Sequence, residues 1–328
     1  MLENSLIRKT SLVALVSFLA MALSGCAELP DAAPITPVDY RGCLLSQTDS
    51  NDSTLAEVAT YSLNQAAVTY GIQRTDLDVS SNKLTSGVKK LVKTGCKLVV
   101  VSGSGFGSGM VLAASTYPEV NFVYVSEKAE PQISAANLDN LVAYGVDLYE
   151  VGLISGYLAA DFSELHYVSL GCVSEIGETL LRGAKYGASL FDAESGVTTR
   201  VVARVGTLTT AEAVLPDVEL IAGCAKSFVA NESVRAYIGY GRDNYLDPRF
   251  ETAMNKIATT VVPQLGSKIM ELVASDLEGD FIGGNLGSVT ATYGNGLLAL
   301  SPERDIDIDA QTLANLQTVV ADYEATLK

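Results

Sequence analysis

Between Arg41 and Val125 the chain repeats one beat: a short apolar run rich in β-branched residues, then a segment whose apolar positions recur every three or four residues. Arg41 to Ser46 reads as a strand, and Leu55, Val58, Ala59, Leu63, Ala66, Ala67 and Tyr70 fall on one side of a helix that Gly71 ends. A strand near Thr75 to Val79, a helix through Leu84, Val88, Leu91 and Val92, the run Lys97 to Val101, a glycine-rich turn into a short helix, and the strand Asn121 to Val125 continue the series. After the apolar helix Leu148 to Phe162 the beat resumes, with strand Tyr167 to Leu170, helix Glu175 to Phe191 and strands Arg200 to Val205, Val218 to Ala222 and Ala236 to Tyr240. Strands that alternate with helices return by crossovers and lie parallel. The expected fold class is therefore α/β in two lobes, each a doubly wound, mainly parallel sheet flanked by helices. Residues 41–146 with about 263–300 are expected to make lobe I, and 147–262 with a C-terminal helix over 310–326 lobe II.

Ahead of that body, Arg8 and Lys9 precede an apolar run that begins at Ser11 and closes on Leu23-Ser24-Gly25-Cys26. A positive start, an apolar stretch of roughly a dozen residues and a small-residue cleavage site form an export signal. Residues 1–25 are read as a lipoprotein signal peptide and Cys26 as the lipidated residue, here with palmitate. Residues 26–40, carrying Pro30, Pro34 and Pro37, read as a tether. No other apolar stretch reaches the roughly 18 residues that a membrane span needs. The expected location is the outer face of the cell membrane, held through the lipid anchor only. With 38 acidic residues against 22 Lys and Arg, the chain lacks the clustered positive charge that nucleic acid requires.

Beyond Cys26 four cysteines remain, Cys43, Cys96, Cys172 and Cys224, in an oxidising compartment. First and third strands are neighbours in a doubly wound sheet, and Cys43 and Cys96 both lie at the amino ends of theirs. Cys172 and Cys224 lie at the carboxyl ends of the corresponding strands of the second lobe. That topology puts disulfides Cys43 with Cys96 and Cys172 with Cys224 within reach; four free buried thiols are the alternative.

Ligands of open parallel sheets bind beyond the carboxyl ends of the strands, so the loops 47–54, 102–108, 171–176, 223–227 and 241–245 are expected to line one cleft. The candidate ligand contacts are Asp49, Asn51, Asp52, Ser53, Ser104, Phe106, Glu150, Cys172, Asp243 and Tyr245. Several keep two readings. Asp49, Asn51 and Asp52 either cap the helix at Leu55 or hold ligand hydroxyls. Glu150 is a helix-start acid or a ligand acceptor, and Phe106 a stacking platform or a lid over the core. The turn Ser102 to Gly109 lacks the spacing of a dinucleotide fingerprint, because no acid stands at the end of the next strand, Tyr124-Val125-Ser126; a helix N-terminus offering N–H groups to a polar ligand fits it better. The one histidine, His166, starts a strand away from the cleft, and no nucleophile elbow, zinc spacing or phosphate loop appears. No enzyme activity, cofactor or metal is expected.

The order of several segments resembles the basic membrane protein family of lipoproteins, the substrate-binding components of nucleoside-type ABC importers. Lys93-Thr-Gly-Cys-Lys-Leu-Val-Val-Val101 followed by Tyr117-Pro-Glu-Val-Asn-Phe122 is similar to its "Gly-x-Asp-Leu-Ile-Val … Tyr-Pro-Asp-x-Lys-Phe". Glu150 with Leu153-Ile-Ser-Gly156 resembles its hinge helix, Gly171-Cys172 through Gly183-x-x-x-Gly187 its second-lobe loop and helix, and Leu277 to Gly284 with Tyr293 to Ala299 its C-terminal motifs. The resemblance implies a periplasmic-binding-protein type I fold that closes, about hinges near Gly145 to Glu150 and Pro263, on a small polar solute and delivers it to an ABC permease. A purine nucleoside is the first candidate. Two departures fall on the ligand: Leu55 and Ala56 stand where nucleoside-binding members carry a base-stacking Phe and its Asn, and Gly239-Tyr-Gly-Arg-Asp243 keeps only the second acid of the family's strand end. Phe106 or Tyr245 is left to supply a ring. An interaction or sensory lipoprotein with a degenerate cleft is the alternative.

Overall fold

The computed structural model describes residues 38–48, 54–127, 131–164, 166–171, 177–204, 220–223, 236–241, 257–301 and 308–327. Its first sheet opens with β1 (Arg41–Gln47), which helix α1 (Thr54–Tyr70) connects to β2 (Gln73–Val79). Helix α2 (Leu84–Lys93), β3 (Leu98–Ser102), α3 (Gly107–Thr116), β4 (Asn121–Ser126), α4 (Pro131–Ala136) and β5 (Leu141–Val146) follow. The spatial order is β11-β5-β4-β3-β1-β2, where β11 (Val289–Ala291) arrives late in the chain, and the recorded pairings are parallel. Every residue of β3 is buried, as expected of a central strand covered on both faces, which explains why Leu98-Val-Val-Val101 reads as an unbroken apolar run.

Helix α5 (Leu148–Phe162) carries the chain to the second sheet. There β6 (Tyr167–Gly171), α6 (Gly177–Ser195), β7 (Arg200–Arg204), β8 (Leu220–Gly223), β9 (Ala236–Tyr240), β10 (Ile257–Pro263) and, late in the chain, β12 (Leu298–Leu300) reproduce the pattern in the order β12-β10-β9-β8-β6-β7. Helix α7 (Leu265–Glu278) returns to pack on α1, and the single turn α8 (Gly284–Gly287) precedes β11. Strand β12 (Leu298–Leu300) pairs antiparallel with β10, so these three residues belong to the second sheet although they fall within the range assigned to lobe I from the sequence. Helix α9 (Ala310–Ala325) then lies against α5. The chain thus passes between the sheets at three places, 146–148, 263–265 and 291–298.

Helices α5 and α6 touch backbone to backbone. A Cβ at Gly152 would stand 2.1 Å from the Leu180 carbonyl oxygen and one at Gly156 2.1 Å from that of Ala184; Gly183 and Gly187 face the Tyr149 and Leu153 carbonyls at 2.0 Å each. Glycine spaced by four on both helices is what permits this approach; with the second sheet and α9 also packed on α5, twelve of its residues, including Leu153, Ile154 and Tyr157, are buried.

Cys43 and Cys96 are joined in a disulfide with their Cα atoms 5.9 Å apart. Register explains it: Cys43 pairs with Val99 of β3, and Cys96 ends the turn that enters that strand. Cys172 and Cys224, like Cys26, lie outside the described residues.

Candidate functional site

In an open parallel sheet, helices leave neighbouring strands toward opposite faces at one point, and a crevice opens at the carboxyl ends there. In the first sheet that point lies between β1 and β3. The side chain of Gln47, the last residue of β1, spans it: its Oε1 accepts a hydrogen bond from the backbone N–H of Ser104, 3.0 Å away, beyond the end of β3. Gly103 makes this possible. Its φ of +153° suits glycine, and a Cβ there would come within 2.5 Å of Gln47 Oε1. The Ser104 N–H is therefore occupied within the protein rather than presented to a ligand.

The same turn directs Phe106 inward. Its ring is 2% exposed and belongs to the cluster of Leu45, Met110 and Tyr124, while its N–H donates to the Tyr124 hydroxyl at 3.3 Å. Of the two readings for Phe106, the lid over the core is the one its burial matches; the exposure suggested by its glycine neighbours is lost because the Gly103 and Gly105 backbone folds the ring back onto the sheet. Leu55 is likewise only 4% exposed, packed with Leu44, Ala59 and Leu63, so the position aligned with a stacking aromatic is part of the core.

Strand β4 ends at Ser126, and Glu127 follows directly; both are buried. Reading the sequence only as far as Ser126 missed this acid, which stands at the carboxyl edge beside the β3 turn, where Gly103 N–H donates to the Val125 carbonyl. A cavity of about 640 Å³ opens at the same edge, lined by Ser126, Ser134, Gly145, Asn285, Ser288 and Thr290 among others. Its polar groups are hydroxyls, an amide and backbone, suited to a neutral, hydrogen-bonding solute. In the second sheet β6 and β8 end in Gly171 and Gly223, and Gly241 directly follows β9 with φ +108°. This rim of bare backbone allows close approach. Asp49, Asn51, Asp52, Ser53, Cys172, Asp243 and Tyr245 lie outside the described residues.

Glu150 stands at a crossing between the sheets. It is fully buried in the first turn of α5, its N–H donates to the capping Asp147 Oδ1 at 3.0 Å, and its Oε1 accepts from the Tyr293 N–H at 2.6 Å. Burial pushes its carboxyl up to about 7, a rise that the Tyr293 N–H opposes and the charges of Glu324 and Asp147 add to. A first-turn acid was legible in the sequence; its partner 143 residues away was not.

Among the described residues no helix is long and apolar enough to cross a membrane, and no group of three or more His, Cys, Asp or Glu could hold a metal ion. The model of the Bmp family, described as ABC transporter substrate-binding protein PnrA-like, matches residues 42–214. No curated protein sequence matches the chain. Among solved structures, an ABC solute-binding protein from Conexibacter woesei is 13% identical with a TM-score of 0.67, over 88% of this chain and 97% of that one. One from Aeropyrum pernix is 18% identical with a TM-score of 0.65, over 87% and 86%. A transcriptional activator of the comK gene from Bacillus halodurans is 18% identical with a TM-score of 0.61, over 88% and 99%. These likenesses show the periplasmic-binding-protein type I fold.

Proposed function

Because this chain belongs to the Bmp family of PnrA-like ABC transporter substrate-binding proteins, we propose that it is a lipid-anchored, extracytoplasmic receptor that takes up a small polar solute between its lobes and hands it to an ABC permease, with a purine nucleoside the first solute to test. The observation that carries the reading is the family match over 42–214 coinciding with two sheets of the same strand order joined by three crossings. Such a body can close about its crossings and bury a solute.

Each lobe contributes a different kind of contact. On the first, this reading assigns solute hydroxyls to Glu127 and the hydroxyls around Ser126, together with Asp49, Asn51, Asp52 and Ser53 of the first loop. On the second, Asp243 and the glycine-ended strands supply an acid and open backbone. With Leu55 and Phe106 packed in the core, ring stacking falls to Tyr245. Anchoring rests on Leu23-Ser24-Gly25-Cys26.

The test is to export the protein from a bacterial host, denature it and identify released small molecules by mass spectrometry. A nucleoside in stoichiometric amount supports the reading. The absence of any solute, together with no binding from a panel of nucleosides, sugars and amino acids, favours the second reading, an interaction or sensory lipoprotein, which the replacement of the stacking pair by Leu55 and Ala56 motivates.

A further inference from the structure

Around Glu150 three parts of the chain meet: the first turn of α5, the 291–298 crossing and the last turns of α9. Asp147 binds all three, since its N–H donates to the Ala291 carbonyl at 3.1 Å, its Oδ1 accepts from Glu150 N–H, and its Oδ2 accepts from the Tyr323 hydroxyl at 3.1 Å. Helix α9 grips the crossing again where Glu324 Oε1 accepts from the Gly294 N–H at 2.7 Å, one residue beyond the Tyr293 N–H that Glu150 holds. The Tyr323 ring stacks on Tyr149 with centroids 5.1 Å apart. Within this cluster the second oxygen of Glu150, Oε2, is buried without a hydrogen-bond partner among the described residues.

A carboxylate oxygen sealed from water and unpaired is costly when charged, and much less so as part of a neutral acid. We propose that the cluster is a proton-operated hinge latch: with Glu150 protonated, α5, the Tyr293 crossing and α9 hold one angle between the lobes, and loss of that proton to solvent releases it. The groups facing Glu150 are Asp147 from its own helix start, the Tyr293 backbone from the crossing, and Glu324 and Tyr323 from α9, all anionic or neutral. Arg182 and Tyr186 of α6 act on Tyr149 beside it. A third negative charge placed next to Asp147 and Glu324 in this dry pocket is relieved when the crossing moves away from α5 and water reaches Oε2.

The direction follows from linkage. Latched Glu150 titrates at about 7; released into water it returns toward its ordinary 4.5. Between those values the latched form holds the extra proton, so raising the pH weakens it by up to about tenfold in its equilibrium per pH unit, with little further change above 7. This inference rests on the two-lobed fold and not on any solute, so it stands or falls separately from the nucleoside reading.

To test it, spin labels on non-natural amino acids at the exposed positions Ser115 of α3 and Ser189 of α6 report the interlobe distance without ligand, from pH 5 to pH 9. In the wild type the distance distribution is expected to shift with a midpoint between the released value of 4.5 and the latched value of about 7. Glu150→Gln, which keeps the oxygen that Tyr293 uses, is expected to retain the pH 5 distribution throughout. Glu324→Gln, which keeps the bond to Gly294 but removes a facing charge, is expected to move the midpoint lower. A wild-type distribution that does not change with pH overturns the proposal, as does an unaltered midpoint in Glu324→Gln. A shift that survives in Glu150→Gln does the same, and a structural role alone would alter melting temperature without any of these changes.

Discussion

Cutting the bridge between Cys43 and Cys96 removes the covalent closure of a segment that contains α1, β2 and α2, with a sequence separation of 53. In the chain-entropy account a closed loop of that length restricts the unfolded chain enough to stabilise the fold by about 4 kcal/mol at 25 °C. Both sulfurs are buried, with Cys43 at 0% and Cys96 at 2% exposure, so a double Cys→Ala substitution adds the loss of packed sulfur, on the order of 1 kcal/mol per site. Against a domain stability of roughly 5 to 15 kcal/mol, such a loss is large. The measurement is urea unfolding, followed by circular dichroism, of oxidised wild type, wild type with reductant, and the double Ala variant. A loss of about 4 kcal/mol on reduction, and somewhat more in the variant, is expected. A reductant effect below about 1 kcal/mol, or peptide mapping that finds the two thiols free in exported protein, contradicts the reasoning.

Gly183→Ala or Gly187→Ala sets a methyl about 2.0 Å from a carbonyl oxygen of α5 and forces the two helices apart; a melting temperature lowered by ten degrees or more, or insoluble protein, is the expected result. Asp276→Ala strips the acceptor from the Tyr40 hydroxyl and from Asn121 Nδ2, which lies 2.6 Å from Asp276 Oδ1, and is expected to cost about 1 to 3 kcal/mol in chemical denaturation. Wild-type stability is expected to fall between pH 5 and 7 by up to about 3 kcal/mol through Glu150, because its native carboxyl is raised and the unfolded chain gives up the proton first; Glu150→Gln removes that slope from a series of melts. Cys26→Ser is expected to abolish labelling by radioactive palmitate and release the protein from membranes.

How much of this could be read from the sequence depended on the range of the cause. The apolar period located α1 within one residue and α5 to the residue, since both bury a face or more against the sheets and Asp147 caps the latter. Parallel neighbours followed from the alternation, and with them the Cys43–Cys96 pair. Strands β11 and β12 are three residues each, too short to show a period; sheet edges recruit them. Phe106 looked exposed among glycines, but a positive φ at Gly103 and Gly105 sets where its ring goes, and no spacing rule carries that. Glu127 was within reach of the sequence: an acid one step past a buried strand marks a carboxyl edge. The contacts of Glu150 with Tyr293 and of Asp147 with Tyr323 join positions more than 140 residues apart, which only the folded chain brings together.

Whether the cleft holds a solute is decided by a thermal-shift titration of purified, delipidated protein with nucleosides, nucleobases, sugars and amino acids, run beside Asp243→Ala and Glu127→Gln. A ligand at a hundredfold excess over its Kd adds about 2.7 kcal/mol, enough to raise the melting temperature by about 5 °C. A purine nucleoside that produces this shift in the wild type, and much less in both variants, is the result expected; no shift with any compound, and no solute released on denaturation, would contradict the receptor function itself.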